Sequence, residues 1–120
     1  MLHLSPACRF YLYREHTDMR KGFDSLSGLV QNQLGKSALS GEVFIFFNRR
    51  HNQVKLLLWE QDGFSIYHKR LEKGTYEVPD LTSNEPSASI SSEQLLLILQ
   101  GISLRHIRKR KRYQQHSTIC

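Results

Sequence analysis

Five consecutive apolar residues, Val43-Phe44-Ile45-Phe46-Phe47, constrain the fold of this chain more than any other feature. In a strand successive side chains point to opposite faces, so a run with no polar member must be covered above and below. That is the position of a central strand. The turn Asn48-Arg49-Arg50-His51-Asn52 follows, and the next apolar run, Val54 to Trp59, is interrupted only by Lys55. Asp62-Gly63 makes another turn, Phe64 to Leu71 a third strand, Lys73-Gly74 a further turn, and Thr75 to Val78 a last short strand. Turns at such short intervals predict an antiparallel meander, because strands adjacent in sequence are most economically adjacent in space.

Ahead of this region, Arg9 to Arg14 has the composition of a short strand. Thr17 or Asp18 can then cap a helix, since either side chain can accept from an unpaired amide of the first turn. Met19, Phe23, Leu26, Val30 and Leu34 recur at spacings that place all five on one helical face, and Gly35 is a natural stop. Gly22 and Gly28 are each unfavourable in a helix by about 1 kcal/mol relative to alanine, which predicts that something packs close against them. Beyond Pro79 the chain is rich in Ser, Asn and Thr and carries Pro86, the composition of a flexible linker. Ser91 with Gln94 then forms a capping-box pattern, and Ile90 with Leu95 a hydrophobic staple, opening a helix that runs to about Gln100 with Gly101 closing it. The expected fold class is α+β: an antiparallel β-meander of four to five strands with one packed helix over residues 1–79. A linker over 80–91 and a short helix with a basic tail over 92–120 complete the expected organisation.

The charge is unevenly placed. Of 17 Lys and Arg residues, six stand together as Arg105, Arg108, Lys109, Arg110, Lys111 and Arg112, with no acid among residues 105–112. The residues before this block are balanced, so the net charge of +6 belongs to the block. Cations without internal partners repel one another and seek an external polyanion. His106 and Tyr113 flank the block and can stack on unpaired bases. Arg49 and Arg50, at a hairpin tip, are a second candidate for phosphate contact. Lys55, Leu57 and Trp59 share one face of their strand, and Ser65, Tyr67 and Lys69 one face of the next, which reads either as a basic and aromatic platform for nucleic acid or as a core face edged by lysines. In the second reading Trp59 is buried under the 95–99 helix or a second subunit.

From Thr17-Asp18-Met19-Arg20-Lys21-Gly22-Phe23-Asp24 onward the chain resembles a bacterial family, the small accessory protein, often labelled TnpB or second-ORF protein, of insertion sequences of the type numbered sixty-six. The likeness continues through Gly41-Glu42-Val43-Phe44-Ile45-Phe46, Asn48-Arg49-Arg50, Lys55-Leu56-Leu57 with Trp59, Asp62-Gly63-Phe64, and Lys69-Arg70-Leu71-Glu72 with Gly74. It implies an accessory role in transposition beside a separate, larger transposase encoded in the same element, with that cognate transposase as a partner. The basic block adds DNA, the terminal repeats of the element among its candidate sites, and a homo-oligomer stays open. The RNA-guided nucleases that share the label are a different group, and this chain is far too short to hold their nuclease domain.

Other chemistry finds little support in the residues. Cys8 and Cys120 lie in no redox or metal-ligand spacing, and His3, His16, His51, His68, His106 and His116 are scattered. No glycine-rich phosphate loop is present, and neither Ser25, Ser27 nor Cys8 has a visible base beside it. No cofactor is expected and no enzymatic activity. The run Leu95 to Leu99 is too short for a membrane span, and the first residues lack the features of a secretory signal, so a cytoplasmic location and no membrane partner are expected. Two rivals remain: a pure protein-interaction module, docking on the transposase through the 95–99 helix, and a small metal-dependent nuclease using Asp18, Asp24 and Glu42. For those acids, caps and turns are the ordinary alternative, and for Asp24 an ion pair with Arg20 or Lys21.

Overall fold

A computed structural model of the chain describes residues 8–79 and 84–100. Five strands form one sheet: β1 (Phe10–Tyr13), β2 (Val43–Phe47), β3 (Gln53–Trp59), β4 (Phe64–Arg70) and β5 (Ser87–Ile90). Two helices join them, α1 (Phe23–Asn32) between β1 and β2, and α2 (Ser92–Gln100) after β5. The spatial order is β4-β3-β2-β1-β5, which puts β2 at the centre, where its apolar run requires it to be.

The fold is α+β, but the sheet is mixed rather than an antiparallel meander. Only β2, β3 and β4 follow one another as hairpins, with Phe44 opposite Leu57 and Leu57 opposite Ile66. β1 lies parallel to β2, Phe10 beside Val43. Parallel neighbours cannot be joined by a tight turn and need a long crossover, and here the crossover carries α1. β5 closes the other side of β1 in antiparallel register, Phe10 opposite Ile90, inside the segment expected to be a linker. The residues expected as a last strand, Thr75 to Val78, join no ladder. Instead the Tyr76 amide donates to the His51 carbonyl at 2.7 Å, and its ring packs on Phe47 with centroids 5.5 Å apart.

Each face of the sheet is covered by one helix. Val43, Ile45 and Phe47 of β2 and Val54, Leu56 and Leu58 of β3 share a buried cluster with Leu95, Ile98 and Leu99 of α2. Phe44, Phe46 and Leu57 share another with Leu26 and Val30 of α1, and with Leu34 and Ala38 beyond it. So α2 completes the core of the sheet, where one packed helix was expected. Its start is as the residues predict: the Gln94 side chain accepts from the Ser91 amide at 2.9 Å while Ser91 Oγ accepts from the Gln94 amide at 3.1 Å, and Ile90 and Leu95 are both buried.

α1 begins later than its apolar spacing suggests. Thr17 does not cap it; the Thr17 amide donates to the Phe47 carbonyl at 2.8 Å, holding the chain against the end of β2. Asp18 forms a turn instead, accepting from the Arg20 amide at 2.9 Å and pairing with its guanidinium at 2.7 Å. Gly22 is the N-cap residue, and Phe23, expected on the buried face, is 50% exposed. After the helix Gly35 adopts φ 66°, the left-handed turn that lets the Lys36 amide reach the Val30 carbonyl at 3.1 Å.

The expectation that Gly22 and Gly28 are closely packed is not met, since a Cβ at either would meet nothing within 4 Å. Gly28 lies inside α1 with open space beside it. Gly28→Ala is therefore expected to stabilise the protein by about 1 kcal/mol, read as a higher urea midpoint at unchanged slope.

Candidate nucleic-acid interface

The β2–β3 turn that carries Arg49 and Arg50 is built by one side chain. Asn48 Oδ1 accepts from the amides of Asn52 at 3.0 Å and Gln53 at 2.9 Å, while Asn48 Nδ2 donates to Asn52 Oδ1 at 2.7 Å. The His51 amide returns to the Asn48 carbonyl at 3.1 Å, and His51 takes φ 56°, uncommon for a residue with a side chain. The result is a braced loop that leaves both arginines exposed at its tip. The Arg49 guanidinium lies 3.2 Å from His16 Nε2. Because arginine only donates, this contact requires the ring to keep its proton on Nδ1. Asn48→Ala removes the acceptor of two backbone amides and is expected to cost about 1–2 kcal/mol, with faster hydrogen exchange at Asn52 and Gln53 as the local signature.

The register gathers further cations around this turn. β1 and β2 run parallel, so the residues after β1, Arg14 and His16, lie at the same end of the sheet as Arg49 and Arg50. β4 finishes here too, with Arg70 opposite Gln53 and Lys69 opposite Val54. Lys55 Nζ, nine-tenths buried on β3, donates to the Lys21 carbonyl at 2.7 Å, which brings the start of α1 to this end. The acids here are Glu15, Asp18, Asp24, Glu72, Glu77 and Glu85, of which Glu72 pairs with Arg70 at 3.2 Å. At the far end of the strands stand Glu42, Glu60, Asp62 and Glu93, with Arg9 and Lys36. The sheet is thus polarised along its strands, cation-rich at the arginine tip. Of these cations only Arg49 and Arg50 were singled out in the sequence for phosphate contact. Arg14, His16 and Arg70 join them through strand direction, which no local motif encodes.

Two pKa shifts follow from the arrangement. Hydrogen bonds from the Arg20 side chain and amide, aided by the charges of Arg20 and Lys21, lower Asp18 to about 2 against its partial desolvation. The stabilisation from this clasp is fully present above the ordinary carboxylate range and is lost progressively as pH falls from that range through about 2. His68, whose Nε2 lies 2.9 Å from Gln53 Oε1, is lowered by burial and then by the neighbouring charges of Lys55 and Arg70.

The pairing also divides the surface imagined from the strands. Lys55 lies opposite His68, and Trp59 opposite Phe64, whereas Ser65, Tyr67 and Lys69 stand opposite Leu58, Leu56 and Val54. Side chains directly opposite in a ladder share a face, so Lys55, Leu57 and Trp59 are on the α1 side and Ser65, Tyr67 and Lys69 on the α2 side. Trp59 is half-buried edge-to-face on Phe64, with ring centroids 4.9 Å apart, and not beneath α2.

The block Arg105, Arg108, Lys109, Arg110, Lys111 and Arg112, with His106 and Tyr113, lies outside the described residues. Two of the three acids weighed for a nuclease are engaged separately: Asp18 with Arg20, and Glu42 with the Ser40 hydroxyl at 3.0 Å. Among the described residues no three His, Cys, Asp or Glu side chains come together as a metal site, and no helix is long and apolar enough to cross a membrane. Leu95, Ile98 and Leu99, the residues a docking helix would offer to a transposase, are buried in the chain's own core.

Comparison with known proteins agrees with the resemblance in the sequence. No solved structure matches. The chain is 34% identical over 106 residues to the uncharacterized protein y4hO of Sinorhizobium fredii (strain NBRC 101917 / NGR234), covering 88% of this chain and 90% of that one. A second uncharacterized protein of the same strain, y4jC, is 23% identical over 110 residues, covering 92% of each. The model of the family described as IS66 Orf2 like protein matches residues 8–109, which take in the whole sheet, both helices and the start of the basic block. With more than half of the chain matched, and with a role accessory to insertion-sequence transposition as the association this carries, the chain belongs to the IS66 Orf2-like family.

Proposed function

We propose that this protein assists transposition of its insertion sequence by gripping the phosphate backbone of DNA while a separate transposase carries out the strand chemistry. Arg49 and Arg50 form one contact, at a braced hairpin tip. Arg105, Arg108, Lys109, Arg110, Lys111 and Arg112 form the other. The observation that supports this reading most is the charge balance along the sheet: among the described residues Lys and Arg outnumber the acids at the end that carries the exposed arginine pair, while the acids Glu42, Glu60, Asp62 and Glu93 outnumber Arg9 and Lys36 at the opposite end. A basic end attracts a polyanion from a distance and orients it on approach. Such contacts position a protein on DNA without reading bases, which suits an accessory factor whose specificity is supplied by its transposase.

The test compares a duplex bearing the terminal repeats of the element with a scrambled duplex across a salt series. Backbone contact predicts binding to both, falling linearly in log K against log salt, with the six cations of the block contributing roughly −5 to the slope. Binding that ignores salt would overturn the reading. A preference for the terminal repeats that survives high salt would add base readout to it.

A further inference from the structure

We infer that the strip of β4 beside α1 is a seat for single-stranded DNA, with Trp59 and Phe64 stacking on unpaired bases and His68 and Arg70 holding the phosphates between them. This deepens the nucleic-acid reading above and rests on it. The strip exists because of the observed register. On the α1 side of the sheet β4 presents Phe64, Ile66, His68 and Arg70 in order, and β3 places Trp59 opposite the first of them. Phe64 and Ile66 pack in part against the cluster under α1, Trp59 is likewise half-buried, and His68 and Arg70 are exposed, so α1 covers Leu57 fully and this border of the sheet only in part.

The gradient along the strip fits one class of ligand. An aromatic pair stands at one end and a cationic pair at the other, on a strand of seven residues. At about 3.3 Å per residue this spans roughly 20 Å. Duplex DNA keeps its base faces stacked on one another, so it can use the cations but not the rings. A single strand offers both a π-face to Trp59 or Phe64 and a backbone to Arg70, the combination that stacking platforms use.

Electrostatics at the cationic end is consistent with a phosphate seat. His68 faces Lys55 across the ladder and lies two residues before Arg70, while Lys55 Nζ donates to the Lys21 carbonyl just ahead of α1 and Glu72 pairs with Arg70. A phosphate here would compete with Glu72 for Arg70 and would favour the protonated form of His68, which its surroundings now disfavour.

Trp59 is the only tryptophan in the chain, so its fluorescence reports this strip alone. The full-length protein, and a form with Arg105, Arg108, Lys109, Arg110, Lys111 and Arg112 replaced by Gln, would be titrated with oligothymidylate, with oligouridylate and with a mixed-sequence duplex. The seat predicts that oligothymidylate changes Trp59 emission in both proteins and that duplex does not. Phe64→Leu keeps an apolar neighbour for Trp59 and should weaken oligothymidylate binding about fivefold or more while sparing the duplex, a split that a general loss of stability would not produce. Arg70→Gln, at an exposed position, should weaken the same complex and reduce its salt slope by about 1. Oligothymidylate binding with silent emission and no response to either variant would overturn the seat while leaving backbone contact standing. A preference for oligouridylate would overturn the assignment to DNA. Failure to bind any of the three ligands would remove the nucleic-acid reading as a whole.

Discussion

Replacing Arg105, Arg108, Lys109, Arg110, Lys111 and Arg112 with glutamine should flatten the salt dependence of DNA binding, from a slope of about −7 to one of about −2. Each cation that neutralises a phosphate releases about 0.9 counterion on duplex DNA, so all eight contacts give the steeper figure and Arg49 with Arg50 alone the residue. The consequence is largest in dilute salt. Between 50 and 200 mM the unaltered protein should lose about ten-thousandfold in affinity, and the substituted one roughly tenfold. The complementary change, Arg49 and Arg50 to Gln, should take about 2 from the slope and leave the remainder. Anisotropy of a labelled duplex reads all three proteins. Equal slopes would mean that the block does not touch the backbone.

The second large effect concerns stability. Phe44 is fully buried at the centre of the sheet, flanked on the same face by Tyr11 of β1 and Leu57 of β3, and its ring stacks on Tyr11 with centroids 5.9 Å apart. Phe44→Ala should cost about 3–5 kcal/mol, the transfer term of the lost ring plus a cavity that two strands cannot close. Domains of this size hold only about 5–15 kcal/mol in total, so the variant would be close to unfolding. Leu39→Ala is the control, because Leu39 is 55% exposed and should change stability by less than about 0.5 kcal/mol. Urea titration of the two variants, with midpoints indistinguishable from each other, would contradict the placement of Phe44.

These two experiments address parts of the molecule that differ in how openly the residues declare them. The central strand was legible because five apolar residues in a row leave no choice of face, and the start of α2 because Ser91 and Gln94 carry a reciprocal pair of hydrogen bonds. The hairpins from Val43 to Arg70 were legible because their turns are short. β5 was not. Ser87-Ala88-Ser89-Ile90 has weak strand propensity of its own and is extended because the outer side of β1 offers it a ladder. The parallel pairing of β1 with β2 was hidden for a related reason: the direction of a strand that follows a long connection is decided by the packing of the crossover helix, not by the strand's own residues.

The candidate site divides in the same way. Arg49 and Arg50 could be named from their place between two strands. The cations that join them, and the aromatic pair of Trp59 with Phe64, depend on which residues stand opposite one another across β3 and β4. A shift of one residue in that register would exchange every side chain between the two faces. The Lys55 and Trp59 face therefore gained His68 and Arg70 where Tyr67 and Lys69 had been expected.

The most direct trial of the account is transposition itself. An element whose chain is cut after Leu104 keeps all the described strands and helices and loses the cationic block. Its movement should fall to that of an element lacking this protein altogether, while the truncated chain still folds with the same urea midpoint. Undiminished movement, together with undiminished DNA binding, would contradict the claim that this protein acts by holding phosphate.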